Sequence, residues 1–286
     1  MAFPISLFIL LGVALLVSSM GFKKYVWFIS LGYGFSIAAE GVAMLIIFHK
    51  SLTVATVILS ALLIAYGLRL SGYLAIREAK NASYKKHMTT EIKDGKKIPF
   101  GVKVAIWVTC ALLYLTQVLP ILYRFANKAS DSVASYIGIG IMALGLILET
   151  AADIQKNQAK KKNPHRFVDT GLYRIVRCPN YLGEMIFWTG VFVSGIGALS
   201  SVWQWILALV GYLGIIYVMF SGARRLEIRQ NKNYGNDKEY QAYVKKVPIL
   251  IPLIPLYSVE KYKFLVASKI IIQNNKKEVN FDFLFS

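Results

Sequence analysis

The chain has 286 residues, 56% of them hydrophobic, with a mean hydropathy of +0.51 and a formal net charge of +18. Soluble domains average roughly 45–50% apolar residues. Here the excess is gathered into long uncharged runs with Lys and Arg in the connectors between them, a pattern that excludes an ordinary soluble fold. It assigns the basic charge to anionic lipid headgroups, not to nucleic acid.

The first run covers residues 3–20. It lacks a basic leading region and a clear cleavage site, so it is expected to be a retained span and not a signal peptide. Further runs follow at 25–48, 53–75, 102–123, 134–152, 181–199 and 202–222. Each approaches the ~20 residues that a helix needs to cross a bilayer. Lipid offers the backbone no partners, so each must be a helix. The expectation is an all-α polytopic bundle of about seven transmembrane helices. The basic connectors 21–24, 77–100, 153–180 and 223–286 then share one side, which places the N-terminus outside and the C-terminus in the cytoplasm. Residues 1–256 read as one membrane-embedded domain and 257–286 as a cytoplasmic tail.

Ionisable groups inside spans are costly and mark cavities or pairs. Glu40 lies mid-span between Ala39 and Gly41, where a lone carboxylate is neutral or paired. In the third span Tyr66, Arg69, Tyr73 and Arg77 recur at spacings of three and four, so they share one helix face. An interfacial belt accounts for Arg77, but Tyr66 lies too deep for one, which points to a cavity. At the end of the fifth span Glu149 and Asp153 also share a face.

The densest stretch is Gly171 to Glu184. Pro179 and Asn180 read as a helix start with Asn180 as N-cap, and Glu184 then shares the face of Asn180. Arg174 and Arg177 precede that helix N-terminus, where an anion such as a phosphate is favoured. Arg224, Arg225, Glu227 and Arg229 follow the last span as ordinary basic flank.

Other chemistry is excluded. Cys110 and Cys178 do not form a disulfide framework. His49, His87 and His165 are scattered, so no metal spacing occurs. The pairs Gly138/Gly140 and Gly195/Gly197 lie in or beside spans and follow no strand, so they serve helix packing and not nucleotide binding.

The segments LETAADIQ (148–155), RFVDTGLYRIVRCPNYLGEMIFWTG (166–190), SGARRLEIR (221–229) and EYQAYVKKVPILIP (239–252) resemble the membrane steroid 5-alpha-reductase superfamily, its bacterial branch in particular. The resemblance covers about residues 60–256 and is strongest over 134–256. It implies a seven-helix bundle open to the cytoplasm and NADPH-dependent reduction of a carbon–carbon double bond conjugated to a carbonyl. By resemblance Asp153, Arg174, Arg177, Asn180, Glu184, Arg224 and Arg225 line the NADPH pocket. Tyr66, three residues before Arg69, matches the family's Tyr-x-x-Arg and hydrogen-bonds the substrate carbonyl, with Glu40 as the accompanying carboxylate. Two departures stand out. Cys178 replaces the histidine of the usual Arg-His-Pro-Asn, and Ala39 replaces the glutamine that precedes the carboxylate in steroid reductases.

The implied partners are a lipophilic small-molecule substrate, which the sequence does not name, and membrane lipids; oligomeric state is not legible. Two other readings stand beside the reductase. Isoprenylcysteine carboxyl and phospholipid methyltransferases share a similar Arg-His-Pro-x-Tyr-x-Gly signature and use S-adenosylmethionine. A non-enzymatic lipid-binding protein is the other.

Overall fold

The computed structural model describes residues 4–80 and 98–265, without the side chain of Lys80. Lys85, Lys86, His87, Lys93, Lys96 and Lys97 of the basic connector, and the stretch 266–286 of the expected tail, lie outside the described residues. Among the described residues every regular element is helical. The helices are α1 (Ile5–Ser18), α2 (Leu31–Ile47), α3 (Val54–Lys80), α4 (Phe100–Ala126), α5 (Val133–Lys162), α6 (Pro179–Ser194), α7 (Val202–Tyr234) and α8 (Lys238–Lys246).

The protein is a polytopic membrane bundle with six spans long and apolar enough to cross: Ile5–Phe22, Tyr25–Ile47, Val54–Ala79, Phe100–Ala126, Val133–Lys162 and Val202–Tyr234. The run expected over 181–199 forms α6, a shorter helix of 16 residues, and Gly195 to Ala198 follow it as turn.

Chain contacts divide the molecule into two units. The first comprises residues 1–142 and 188–214. Its α2 and α3 cross on small residues: a Cβ at Gly67 would land on the Gly34 carbonyl and crowd Ala38, and one at Gly41 would press on Ser60 and Ile64. Small residues let helix backbones approach closely where lipid supplies no hydrophobic drive. Ser71 Oγ secures the crossing by donating to the Leu31 carbonyl at 2.9 Å. Aromatic donors tie in the other helices. Trp107 Nε1 donates to the Leu15 carbonyl at 2.9 Å, and Tyr114 Oη to the Phe28 carbonyl at 2.6 Å. At the end of α4 the buried Arg124 donates to the Ser194 carbonyl at 3.0 Å.

The second unit comprises residues 143–187 and 215–286. A Cβ at Gly145 would meet the backbone of Phe187 and Gly183, so α5 and α6 touch there backbone to backbone. Phe167 packs against the rings of Tyr234, Tyr240 and Tyr243. Tyr243 Oη donates to the Tyr173 carbonyl at 2.7 Å, and Tyr240 Oη to Asn231 Oδ1 at 2.7 Å. α8 is capped by Asp237, whose carboxylate accepts from the N–H groups of Glu239 and Tyr240.

Residues 257–265, assigned to the tail, run along α7. The Val259 N–H donates to Glu227 Oε2 at 2.8 Å, Arg224 Nε to the Glu260 carbonyl at 2.8 Å, and Tyr217 Oη to the Phe264 carbonyl at 2.6 Å.

Candidate functional site

In the first unit the crossing of α2 on α3 brings two phenols together. Tyr33 precedes Gly34 and Tyr66 precedes Gly67, the two glycines at the point of closest approach. Tyr66 Oη donates to Tyr33 Oη at 3.1 Å. Trp188 Nε1 donates to the same Tyr33 oxygen at 2.9 Å. The three side chains are 0%, 3% and 1% exposed for Tyr66, Tyr33 and Trp188, so the cluster is sealed from water. Their rings interlock, with Tyr66 edge-on to Trp188 at 5.6 Å and Tyr33 stacked on Trp188 at 6.5 Å. Tyr114 closes one side, 5.2 Å from the Tyr33 ring.

The hydrogen-bond inventory gives the cluster a direction. An indole N–H can only donate, whereas a phenol donates once and accepts. Trp188 therefore fixes Tyr33 as an acceptor. The group carries three donor protons, two of which make the bonds just described.

Glu40 is fully buried on α2, and neither carboxylate oxygen has a hydrogen-bond partner among the described residues. Tyr114 lies within its electrostatic reach. The Tyr66 hydroxyl donates to Tyr33. Gln117 on α4 is likewise 2% exposed with its amide unmatched among the described residues. Buried polar atoms are nearly always satisfied, so such groups call for an explanation such as a ligand or function.

The second unit holds the residues expected to line a cofactor pocket, and it uses some of them structurally. Arg177 is 2% exposed and lies in an ion pair, Nη2 to Glu227 Oε1 at 2.8 Å; the same nitrogen donates to the Tyr257 carbonyl. Nε and Nη1 of the same guanidinium are buried without a hydrogen-bond partner among the described residues. Arg224 is half-buried and binds the Glu260 carbonyl through Nε. Arg174 is exposed, Arg225 and Asp153 are half-buried, and Glu184 is buried. Asn180 is half-buried but is not the N-cap. α6 starts at Pro179, and the Cys178 carbonyl accepts the first helical bond from the Leu182 N–H at 3.1 Å. Proline suits the first helical position because its φ is preset and its missing N–H would be unpaired there.

Cys178 stands where the resembled family carries histidine. Burial pushes its thiol up to about 12, against the partly opposing charges of Arg177 and Lys156. A thiol that stays protonated near neutrality does not carry protons as an imidazole does. The other expected cationic residues of this unit, Arg174, Arg224 and Arg225, are exposed or half-buried.

Sequence reasoning missed Tyr33, Trp188 and the pairing role of Glu227. Tyr33 was within reach, since it lies seven residues before Glu40, two turns along one face of α2. Trp188 carried no such signal, because a tryptophan in an apolar run reads as packing.

A bundle of apolar spans with a buried phenol–indole cluster defines a polytopic membrane protein. The chain belongs to the family described as Protein of unknown function (DUF1295), whose model matches residues 17–247. That family falls within the steroid 5-alpha-reductase-like superfamily. A protein of Schizosaccharomyces pombe named Protein-S-isoprenylcysteine O-methyltransferase is 29% identical to it over 131 residues, 43% of this chain and 52% of the relative. The chain thus spans about half the length of that curated relative. No solved structure matches.

Proposed function

We propose that the protein is a membrane reductase that uses NADPH to saturate a carbon–carbon double bond conjugated to a carbonyl in a lipophilic substrate. The observation that carries this reading is the Tyr66–Tyr33–Trp188 cluster, a set of hydrogen-bonding phenol and indole groups buried together in the membrane-embedded unit. NADPH would supply a hydride to the carbon β to the carbonyl and leave as NADP+, and water would supply the proton that the α-carbon takes up. As hydride arrives, negative charge gathers on the carbonyl oxygen. A phenol O–H of the cluster meets that charge, while the Trp188 N–H, held on Tyr33, keeps the donors aligned. A preorganised donor in a water-excluded site is worth about 10²–10³ in rate. Glu40, kept in apolar surroundings two turns from Tyr33, is the second polar group facing the substrate. In the other unit Arg174, Arg224 and Arg225 hold the cofactor phosphates, and Asp153, Asn180 and Glu184 supply neutral and acidic contacts to its sugars. The basic connectors face the cytoplasm, where NADPH is found.

A second reading is favoured by the fission-yeast relative: an S-adenosylmethionine-dependent methyltransferase acting on a membrane-borne acceptor. That reading gives the phenols and Glu40 no chemical duty.

Titration of the detergent-purified protein with NADPH, NADH and S-adenosylmethionine separates the two, because a ligand that binds only the folded state raises Tm. The expected outcome is stabilisation by NADPH alone. Stabilisation by S-adenosylmethionine alone moves the protein to the methyltransferases.

A further inference from the structure

We infer that the segment Pro248–Leu265 is a lipid-binding element that returns the chain to the bilayer. Its apolar tip at Leu253–Ile254 and its aromatic end at Tyr262–Phe264 enter the phospholipid leaflet on the side of the basic connectors. The argument does not depend on the reaction.

Depth is the first observation. The segment runs antiparallel to α7: Val259 and Glu260 bind Glu227, Arg224 and Asn231, and Phe264 binds Tyr217. Arg224, Glu227 and Asn231 lie beyond the apolar run of α7, and Tyr217 lies within it. Tyr217 is about 22 Å along the helix from Val202 at 1.5 Å per residue, inside the ~30 Å hydrocarbon thickness. A chain whose Phe264 carbonyl sits on the Tyr217 hydroxyl has therefore come back to the membrane boundary.

Side-chain chemistry is the second. Lys261, Tyr262, Lys263 and Phe264 alternate cationic and aromatic residues. Phe264 is 68% exposed, whereas the neighbouring Val259 and Leu265 are buried against the protein. Lys261 lies over the Tyr262 ring at 5.1 Å. Aromatic rings favour the headgroup boundary, and lysines there reach the phosphates with their stems on apolar ground.

The tip is the third. The N–H groups of Arg177 and Cys178 donate to the carbonyls of Pro248 and Ile249 at 2.9 and 3.0 Å. That anchors the loop at the first residues of α6, where the apolar sequence begins. The Ile249 N–H donates to the Leu256 carbonyl at 2.9 Å and closes a short loop between Pro252 and Pro255. At its apex Leu253 has φ +68° and is 101% exposed, with Ile254 49% exposed beside it. Leucine rarely adopts positive φ. A bulky apolar side chain held out in that conformation has no partner on the protein, and a leaflet beside it is the environment that favours it.

The test places a nitroxide spin label at one site at a time in the full chain, through Leu253→Cys, Phe264→Cys and, as control, Ala242→Cys on the exposed side of α8, all in a Cys110→Ala background. In nanodiscs of phosphatidylcholine and phosphatidylglycerol, collision with oxygen is compared with collision with a water-soluble nickel chelate. Labels at 253 and 264 are expected to favour oxygen, and the label at 242 the nickel chelate. Greater access to nickel at either 253 or 264 overturns the proposal. Ile254→Cys replaces Leu253→Cys if the latter does not fold, with the same criterion. Changing both Lys261 and Lys263 to Gln is expected to raise nickel access at 264, since each lysine near an anionic surface is worth about fivefold in membrane affinity. Unchanged access in that variant overturns the role given to the lysines.

Discussion

The two units treat a buried carboxylate in opposite ways. In the first, α2 buries Glu40 with no partner for its oxygens among the described residues. In the second, both oxygens of Glu227 are matched, Oε1 by Arg177 at 2.8 Å and Oε2 by the Val259 N–H at 2.8 Å. A charged residue near a span is thus a chemical tool in one place and a structural rivet in the other. Sequence position alone does not tell them apart. The difference lies in whether the fold supplies a partner within hydrogen-bond reach.

Removing the rivet has the largest expected effect. Arg177→Ala leaves Glu227 charged and uncompensated in a buried site, which costs about 3–5 kcal/mol. Thermal unfolding should show a large fall in Tm. A variant of wild-type Tm that no longer binds NADPH would restore Arg177 as a ligand and erase the contrast. On the other side, Tyr66→Phe keeps the ring packing but deletes one donor. Turnover is expected to fall by about 10²–10³ with unchanged Tm and NADPH affinity, read from steady-state rates and ligand titration. Wild-type turnover would remove Tyr66 from the chemistry.

Gly67→Val tests what holds the first unit's cluster together. Its side chain would collide with the Gly34 carbonyl. Overpacking of this kind costs about 1–3 kcal/mol, and both Tm and turnover should fall together. A smaller effect attaches to Asp131, in the connector between α4 and α5. Burial acts upward on its carboxyl, but hydrogen bonds from Thr53, the Ala55 N–H and Tyr136, with Arg124 nearby, hold it below the ordinary carboxylate range. Its contribution to stability is therefore present above the unfolded-state value and fades as pH falls through the depressed one. Asp131→Asn should lower Tm at neutral pH and flatten the acid limb of the Tm–pH curve. The least effect is expected at Cys178: its thiol, pushed to about 12 by burial, should resist maleimide at neutral pH in the folded protein. Fast labelling there would mean that the site opens readily.

Much of the fold was legible because bilayer crossing has a length requirement that apolar runs display directly, and six of the expected spans are helices long enough to cross. The run 181–199 forms a shorter helix that ends at Ser194, with Gly197 at φ +82° in the turn beyond it. Of the candidate residues, Glu40 and Tyr66 were visible as polar groups where lipid excludes them, and both are fully buried. The ion pair of Arg177 was not legible because its partner, Glu227, is fifty residues away and resembled ordinary flank.

The sequence by itself determined that this chain lives in a membrane, is helical and carries costly polar groups at defined depths, since hydropathy and spacing act locally along the chain. Only the tertiary structure decided which of those groups meet. The glycine crossing of α2 and α3 set Tyr33 against Tyr66, an indole fixed the direction of their hydrogen bonds, and the C-terminal segment engaged Arg224 of α7 and Arg177 ahead of α6. Those outcomes depend on distances of a few ångströms between residues far apart in the chain, and no local pattern encodes them.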